Sequence, residues 1–183
     1  MGRWTKVLVT ACVVTTVGPA EAAGAEHCAT VLVPIEPIEG VTEAVLDPIG
    51  CFATYDQALE AGTGTTIDVS VEVSPATLTV AAAAELTTTS SVLIGTEYNL
   101  FDFAGDSRSY FAATTCSSGV VWSVANVGPS WNDTFQSGKG FGGCDTNKKF
   151  EHENFAGDVK TCTPNCADYG SLANRVTSLR WRP

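Results

Sequence analysis

Hydrophobic and polar positions alternate in short segments throughout residues 92–183. Apolar runs such as Val92-Leu93-Ile94, Tyr110-Phe111 and Val120-Val121-Trp122 are separated by Gly, Ser, Asn and Asp at the spacing of strands and turns. No stretch of this region repeats with the period of a helix. Residues 92–183 are therefore predicted to form an all-β domain.

Residues 23–91, here called the lead segment, have a different pattern. A Thr-x-x-Gln capping box opens a predicted helix over residues 55–61, and Gly62 can end it. Apolar and polar residues then alternate over residues 67–73, which predicts a half-buried strand. The threonine-rich residues 86–91 are expected to be a linker or the edge of the next unit. The lead segment is predicted to be a smaller α+β unit without catalytic chemistry.

Residues 1–22 have the pattern of a signal peptide. Two basic residues precede an apolar run over residues 7–18, and Ala20-Glu21-Ala22 fits the small-x-small cleavage pattern, which places the mature start near Ala23. A bacterial lipobox ending at Cys12 is the alternative. No later stretch is long enough to cross a membrane. The mature protein is expected to be secreted, extracellular and without a membrane partner.

The charge balance limits the classes of partner. The chain has 20 acidic and 10 basic residues and a pI of about 4.5. Residues 23–107 contain 13 acidic residues and no Lys or Arg, whereas residues 108–183 contain 6 acidic and 8 basic residues. Such acidity disfavours nucleic acid and anionic lipid as partners, because both require a basic surface. The sequence also lacks a nucleophile elbow, a phosphate-binding loop and a zinc-protease helix, so an enzyme is not expected.

The cysteines predict a disulfide framework. Cleavage after residue 22 removes Cys12 and leaves an even number in an oxidising compartment. Several pairings are open, but nearness along the chain favours joining neighbours. The favoured pairs are Cys28 with Cys51, Cys116 with Cys144, and Cys162 with Cys166. A zinc site is the alternative, but no cluster has zinc spacing beyond a single Cys-x-x-x-Cys.

An internal repeat is the most specific feature of the sequence. Residues 98–105 and 150–157 each have an aromatic residue seven positions before a glycine, and each continues as Phe-Ala-Gly-Asp. Residues 131–137 and 172–178 form a second pair of blocks in the same order, each ending in serine. The repeat predicts two units of four short strands. In each, a hairpin folds over so that its aromatic ring packs on the turn, its glycine takes a positive φ and the later serine bonds the hairpin.

These two motifs resemble the βγ-crystallin fold, in which two Greek keys pack as a sandwich. The resemblance covers residues 94–183. A signal peptide, an acidic Cys-containing lead segment and a crystallin-like domain together resemble secreted actinobacterial proteins of the streptomycete metalloproteinase inhibitor family. The resemblance implies that the protein is a secreted inhibitor of a metalloprotease. The inhibitor itself is expected to be a monomer that needs no cofactor. It implies nothing about the role of the lead segment.

The resemblance also implies a possible function in calcium binding, because calcium-binding domains of this fold carry the pattern Asn/Asp, Asn/Asp, x, x, Ser/Thr, Ser. Both copies are incomplete: the first has glutamine in place of the fifth-position hydroxyl, and the second begins with alanine. The candidate ligands are Asn132, Asp133, Gln136 and Ser137 in the first copy, and Asn174, Thr177 and Ser178 in the second. These residues either bind calcium weakly or only stabilise turns. The alternative function is therefore a calcium-binding or structural extracellular module without inhibitory activity.

The candidate inhibitory bond lies between Cys162 and Thr163. Residues 160–166 resemble the reactive segment of the streptomycete inhibitor, in which a small disulfide loop follows a basic residue and a threonine, and the bond after the first cysteine is offered to the protease. Here the loop is one residue shorter, and Thr163 stands where an apolar residue is expected. The alternative is a structural staple on a Greek-key loop.

The histidines are weaker candidates. His152 lies between Glu151 and Glu153, and alternation along a strand would place the carboxylates on the face opposite the imidazole. An exposed strand residue without a catalytic role is expected. His27 has no second ligand nearby in the sequence.

Overall fold

The computed structural model describes residues 24–35, 41–67, 74–85 and 91–183. The predicted signal peptide, residues 68–73 of the predicted strand and residues 86–90 of the predicted linker lie outside the described residues. The elements are β1 His27–Pro34, β2 Val41–Phe52, α1 Tyr55–Thr63, α2 Val80–Glu85, β3 Val92–Tyr98, β4 Ser107–Ala112, β5 Val121–Val124, β6 Ser137–Gly140, β7 Thr146–Phe150, β8 Val159–Cys162 and β9 Ser178–Arg182.

Two Greek keys make up residues 92–183, as predicted. In the first key β3 pairs with β4 and β6, and in the second β7 pairs with β8 and β9 in the same way. The third strand of the first key, β5, crosses over to pair with β9. The equivalent crossing of the second key is a single bridge between Cys166 and Gly138 of β6. Each key thus crosses over to pair with the sheet of the other, through a strand in the first key and a single bridge in the second, which makes a double Greek-key sandwich.

The first folded hairpin has the predicted conformation. Asp102 and Phe103 have φ angles of 56° and 63°, and Gly105 has a φ of 76°. These left-handed residues bring the ring of Phe103 edge-on to the ring of Tyr98, with centroids 5.8 Å apart.

The second folded hairpin repeats this geometry residue by residue. Asn154 and Phe155 have φ angles of 56° and 64°, and Gly157 has a φ of 78°. The rings of Phe150 and Phe155 meet at 5.6 Å. Two sequences that share few residues thus adopt one backbone, because aromatic and glycine occupy the same positions.

A serine from the last strand of each key fastens its hairpin. The hydroxyl of Ser137 donates to the carbonyl of Leu100 at 2.6 Å and accepts from the N–H of Phe103 at 3.1 Å. Ser178 makes the equivalent pair of bonds, donating to the carbonyl of His152 at 2.7 Å and accepting from the N–H of Phe155 at 3.1 Å. Both serines are fully buried. The predicted role of these serines is confirmed.

The lead segment adds a hairpin to the sandwich, which the sequence did not predict. Strands β1 and β2 pair antiparallel with each other. Strand β1 then pairs parallel with β4, and β2 pairs parallel with β5. The lead hairpin thereby joins the two crystallin sheets into one sheet of nine strands, in the order β6-β3-β4-β1-β2-β5-β9-β7-β8. The domain boundary predicted at residues 91/92 stays a prediction, and strands from both sides of it share this sheet.

The first helix is confirmed and begins where predicted, but it ends later. Helix α1 runs two residues past the predicted end, the Thr54 side chain makes no capping bond, and Gly64 closes the helix at a φ of 69°. Gly62 lies against the ring of Phe111, which leaves no space for a side chain. The sequence did not predict α2. None of the helices in the described ranges is long and apolar enough to span a membrane.

Two hydrophobic clusters lie on opposite faces of the sheet around β3. Ile94 packs with Leu179 and Trp181 in the cluster inside the sandwich. Its neighbour Leu93 faces the other way and packs with Leu59 of α1. The helix of the lead segment therefore covers the outer face of the first key.

A buried ion pair links the two keys inside the sandwich. Glu97 of β3 and Lys149 of β7 are 0% and 1% exposed and form a salt bridge, and the hydroxyl of Tyr169 donates to the same carboxylate. The two charges occupy equivalent positions, each one residue before the hairpin aromatic. Burial raises the pKa of Glu97 and lowers that of Lys149, while their mutual attraction opposes both shifts.

Lys139 attaches the lead segment to the first key. Its ammonium group donates to the carbonyl oxygens of Pro75 and Ala76, both at 2.8 Å, and lies 4.5 Å from the centre of the Phe103 ring. Burial lowers the pKa of Lys139. One basic side chain of the crystallin-like domain thus contacts the backbone of a segment that has no basic residue.

Three disulfides in the described part of the chain join neighbouring cysteines, as expected. The bonds are Cys28–Cys51, Cys116–Cys144 and Cys162–Cys166. Several disulfides in one small domain fit an oxidising, extracellular setting.

Candidate functional site

The disulfide loop lies at one end of the sheet. Cys162 ends β8, the last strand in the sheet order, and its side chain is only 1% exposed. The chain then leaves the sheet, and Thr163 and Asn165 are exposed before Cys166 returns to the domain. Thr163 is thus the residue of the candidate bond whose side chain projects into solvent.

Bonds to the domain hold this loop on several sides besides the disulfide. The amide group of Asn147 donates to the carbonyl of Pro164. The side-chain oxygen of Asn165 accepts from the N–H of Gly140 at 3.2 Å. Cys166 exchanges two backbone hydrogen bonds with β6, at 2.9 and 3.0 Å. The loop is therefore fixed before any partner binds.

Strand β8 leads into the loop along a free edge. Among the described strands it pairs only with β7. Val159 is 53% exposed, and Thr161 is also exposed. A partner that binds extended chains by adding a strand can use such an edge. Edge and loop together present an extended segment that ends in a rigid turn.

The two candidate calcium blocks meet across the pseudo-twofold axis of the keys. The N–H of Asp133 donates to the carbonyl of Val176 at 3.2 Å, and the N–H of Asn174 donates to the carbonyl of Phe135 at 2.9 Å. Asp133 and Asn174 have left-handed φ angles of 59° and 58°. Equivalent residues of the two blocks thus face each other at one end of the sandwich.

A cleft of about 540 Å³ opens at this junction. It is lined by Asn132, Asp133, Glu151, His152, Glu153, Asn174, Arg175 and Thr177. Four of the seven predicted calcium ligands therefore share it, whereas Ser137 and Ser178 are bonded to the folded hairpins instead. The structure adds the acidic residues of the second hairpin, which sequence reasoning did not group with the blocks. The sequence feature that could have indicated these acidic residues is their position in the aromatic-to-glycine motif.

The polar groups of this cleft are partly paired with one another. Arg175 forms an ion pair with Glu151, whose other carboxylate oxygen accepts from the N–H of Asp158 at 3.1 Å. These contacts, first the Asp158 amide and then the arginine, lower the pKa of Glu151. The side-chain oxygen of Asn132 is buried without a hydrogen-bond partner among the described residues, so one amide oxygen at this junction is an unpaired acceptor.

His152 is exposed, as predicted, but the prediction that it belongs to a strand is wrong. His152 lies in the folded hairpin, and its Nε2 is 3.9 Å from a carboxylate oxygen of Glu151. The left-handed turn that follows ends the alternation of faces, so the imidazole and this carboxylate lie on the same side. His27, in contrast, is buried in β1 and its Nδ1 lies 2.8 Å from the hydroxyl of Ser107.

Comparison with known proteins supplies similarity at the level of fold. No protein-family model matches the chain, and no curated protein matches it. A βγ-crystallin from an archaeon is 20% identical, covers 49% of this chain and 96% of its own, and has a TM-score of 0.36. The N-terminal domain of protein S is 21% identical, with 48% and 93% covered and a TM-score of 0.35. A βγ-crystallin domain from Clostridium beijerinckii is 22% identical, with 49% and 97% covered and a TM-score of 0.35.

These matches span about half of the chain and concern the fold alone. The crossed third strands, the two folded hairpins and their serine anchors define residues 92–183 as an all-β domain with a βγ-crystallin-like fold. The lead hairpin and its helix are added to that fold.

Proposed function

We propose that the protein is a secreted inhibitor of a metalloprotease that presents the Cys162–Thr163 bond. The observation that supports this function is the exposed, fixed loop at the end of a free edge strand. An inhibitor of this kind binds as a substrate does but is not released, and a loop that is rigid beforehand loses less entropy on binding.

Each part of the loop has a role in this proposal. The edge of β8 offers backbone groups to the extended substrate cleft of the protease. Cys162 keeps its side chain inside the domain and fixes the position of the candidate bond. Thr163 enters the pocket that receives the side chain just after the cut. The protein acts as a monomer, requires no cofactor and is not itself an enzyme.

The test is a titration of the purified mature protein against a panel of secreted metalloproteases, including a thermolysin-like enzyme, and serine proteases. We expect inhibition of a metalloprotease. Thr163→Val should tighten it about fourfold, since one buried methyl-sized group is worth about 0.8 kcal/mol. Thr163→Asp should abolish inhibition, because it forces a charge into an apolar pocket.

Exposed Thr114 offers a matched control on another loop. Thr114→Val and Thr114→Asp should leave inhibition unchanged, and all four variants should keep thermal stability within about 0.5 kcal/mol. If wild-type protein and Thr163→Val both leave every metalloprotease active while the fold is intact, the inhibitor proposal is wrong.

A calcium-binding module is the second candidate, supported by the cleft between the paired loops. Asn132 contributes a free amide oxygen, and Asp133 and Glu153 contribute carboxylates, which are ligands that calcium prefers. Arg175 weakens such a site through its charge and its ion pair with Glu151. Arg175→Gln should therefore increase the rise in melting temperature that millimolar calcium causes, whereas Arg182→Gln should not. No calcium-dependent shift in any of these proteins would exclude this candidate.

A further inference from the structure

A second cleft, of about 560 Å³, lies between the lead hairpin and the loop over residues 127–134. Its floor is the shared face of β4, β1 and β2, where alternation along the strands places Arg108 beside Cys28 and Thr30. Trp131 lies on the opposite wall. Half of the cleft thus comes from the lead segment and half from the first Greek key, and its volume suits a small ligand.

Arg108 is a buried cation on the floor of this cleft. Its side chain is 5% exposed, its Nε donates to the hydroxyl of Thr30 at 2.9 Å, and one terminal nitrogen donates to the carbonyl of Val127 at 2.6 Å. Among the described residues no carboxylate forms an ion pair with it. A buried guanidinium without a counter-ion is costly. Because Nε and one terminal nitrogen of Arg108 already donate, the other terminal nitrogen is left to meet a carboxylate. The floor is therefore suited to the carboxylate of a ligand.

Negatively charged residues lie at one end of the same cleft. Asp106 lies two residues before Arg108, just ahead of β4, and lines the same cleft. Its two oxygens accept from the backbone N–H of Glu26 at 2.8 Å and from the side chain of Asn99 at 2.7 Å. Glu26 is exposed and lines the same cleft. A ligand carrying only a carboxylate would face these acidic groups, whereas a ligand that also carries an ammonium group would neutralise them.

The wall provides a flat apolar surface. Trp131 is half-buried and stacks on Phe135, with centroids 5.4 Å apart and the ring planes 19° from parallel. This stacking fixes the indole, which leaves its other face for a ligand. Leu46 and Pro48 of β2 supply further apolar lining. An aromatic or large aliphatic side chain fits this part of the cleft.

We propose that this cleft binds a free α-amino acid with an aromatic or large apolar side chain. The carboxylate pairs with Arg108, the ammonium group lies toward Asp106 and Glu26, and the side chain stacks on Trp131. The lead segment therefore has a binding function, since β1 and β2 form one side of the site. This function is independent of the disulfide loop and of protease inhibition.

Calorimetric titration of the purified mature protein at low salt tests the proposal with three probes. L-phenylalanine carries both charged groups, 3-phenylpropanoate lacks the ammonium group, and phenethylamine lacks the carboxylate. L-phenylalanine should bind at least about tenfold more tightly than either analogue. Equal binding of all three probes, or no saturation by L-phenylalanine at millimolar concentration, overturns the proposal.

Variants then assign the contacts. Glu26→Gln should weaken the binding of L-phenylalanine and strengthen the binding of 3-phenylpropanoate, because it removes a negative charge that attracts the first probe and repels the second. Trp131→Leu keeps an apolar wall without a flat ring and should weaken the binding of L-phenylalanine about fivefold. Glu85→Gln, at an exposed site on α2, should change nothing.

Arg108→Gln should abolish the preference for the carboxylate if the variant folds, as checked by circular dichroism. If it does not fold, the other two variants decide the matter, because both positions are at least partly exposed. Unchanged affinities in Glu26→Gln and Trp131→Leu overturn the proposal, as does a folded Arg108→Gln protein that binds L-phenylalanine as the wild type does.

Discussion

The buried pair of Glu97 and Lys149 is expected to be the most sensitive polar contact of the sandwich. Lys149→Met leaves a carboxylate in the core, and Glu97→Gln leaves an ammonium group there. Removing one partner of a buried pair costs about 3–5 kcal/mol. The double variant leaves neither charge of this pair in the core, so its loss of stability should be smaller than the sum of the single losses by at least about 2 kcal/mol.

Urea denaturation with the disulfides intact measures these values. With an m-value of about 2 kcal/mol/M, each single variant should lower the midpoint by about 1.5–2.5 M. Lys148 is the matched control, since it is the preceding residue of β7 but half-exposed. Lys148→Met should change stability by no more than about 0.5 kcal/mol.

The Lys149→Met variant should also respond to pH in a defined direction. Burial raises the pKa of Glu97 above its ordinary value of 4.5, and the variant lacks the ammonium group that opposes this shift. The folded state then takes up a proton at a higher pH than the unfolded chain, so this variant should regain stability as the pH falls toward 4.5. Single losses below about 1 kcal/mol, or strictly additive losses, would refute the reasoning.

Burial lowers the pKa of His27 below its ordinary value of 6.5, although the charges of Asp106 and Asp56 oppose the shift. As the pH falls through 6.5 the unfolded chain binds a proton more readily than the folded chain, so the stability of the wild type should fall. The melting temperature of His27→Gln should therefore drop less than that of the wild type between about pH 7 and 5. Equal drops in melting temperature would contradict this. Ser137→Ala and Ser178→Ala should each cost about 1–3 kcal/mol in urea denaturation, because each leaves buried hairpin groups without partners. Ser171→Ala, at an exposed site, is the control, and a serine-anchor variant as stable as this control would contradict the role of that serine.

The double Greek key could be predicted because its signals are local. The distance from an aromatic residue to a glycine defines the folded hairpin, and a later serine occurs at a constant place in each unit. Asp102 and Asn154 show how little else is needed, since different side chains adopt the same left-handed conformation. Neighbouring cysteines were also a sound guide to the disulfides.

The lead hairpin could not be predicted, because its pairing has no local signature. Pro48 and Gly50 interrupt the alternation expected of β2. The hairpin pairs in parallel with β4 and β5, which lie far along the chain. Nothing in the spacing of residues indicates that these two strands are its partners. The cleft that contains Arg108 depends on this pairing, so it could not be predicted either. His152 was misplaced for a related reason, since strand periodicity ends where a hairpin folds over.

The parallel pairing of the lead hairpin has a consequence for how the chain acquires its structure. Glu26 bonds Asp106, 80 residues later, and Ser123 bonds the carbonyl of Thr42 across 81 residues. Contacts of such long range form slowly. The strands synthesised first must therefore wait for β4 and β5 before they can join the sheet. We expect residues 92–183 to collapse into the sandwich first, and the lead hairpin to close it as the last and slowest step of folding.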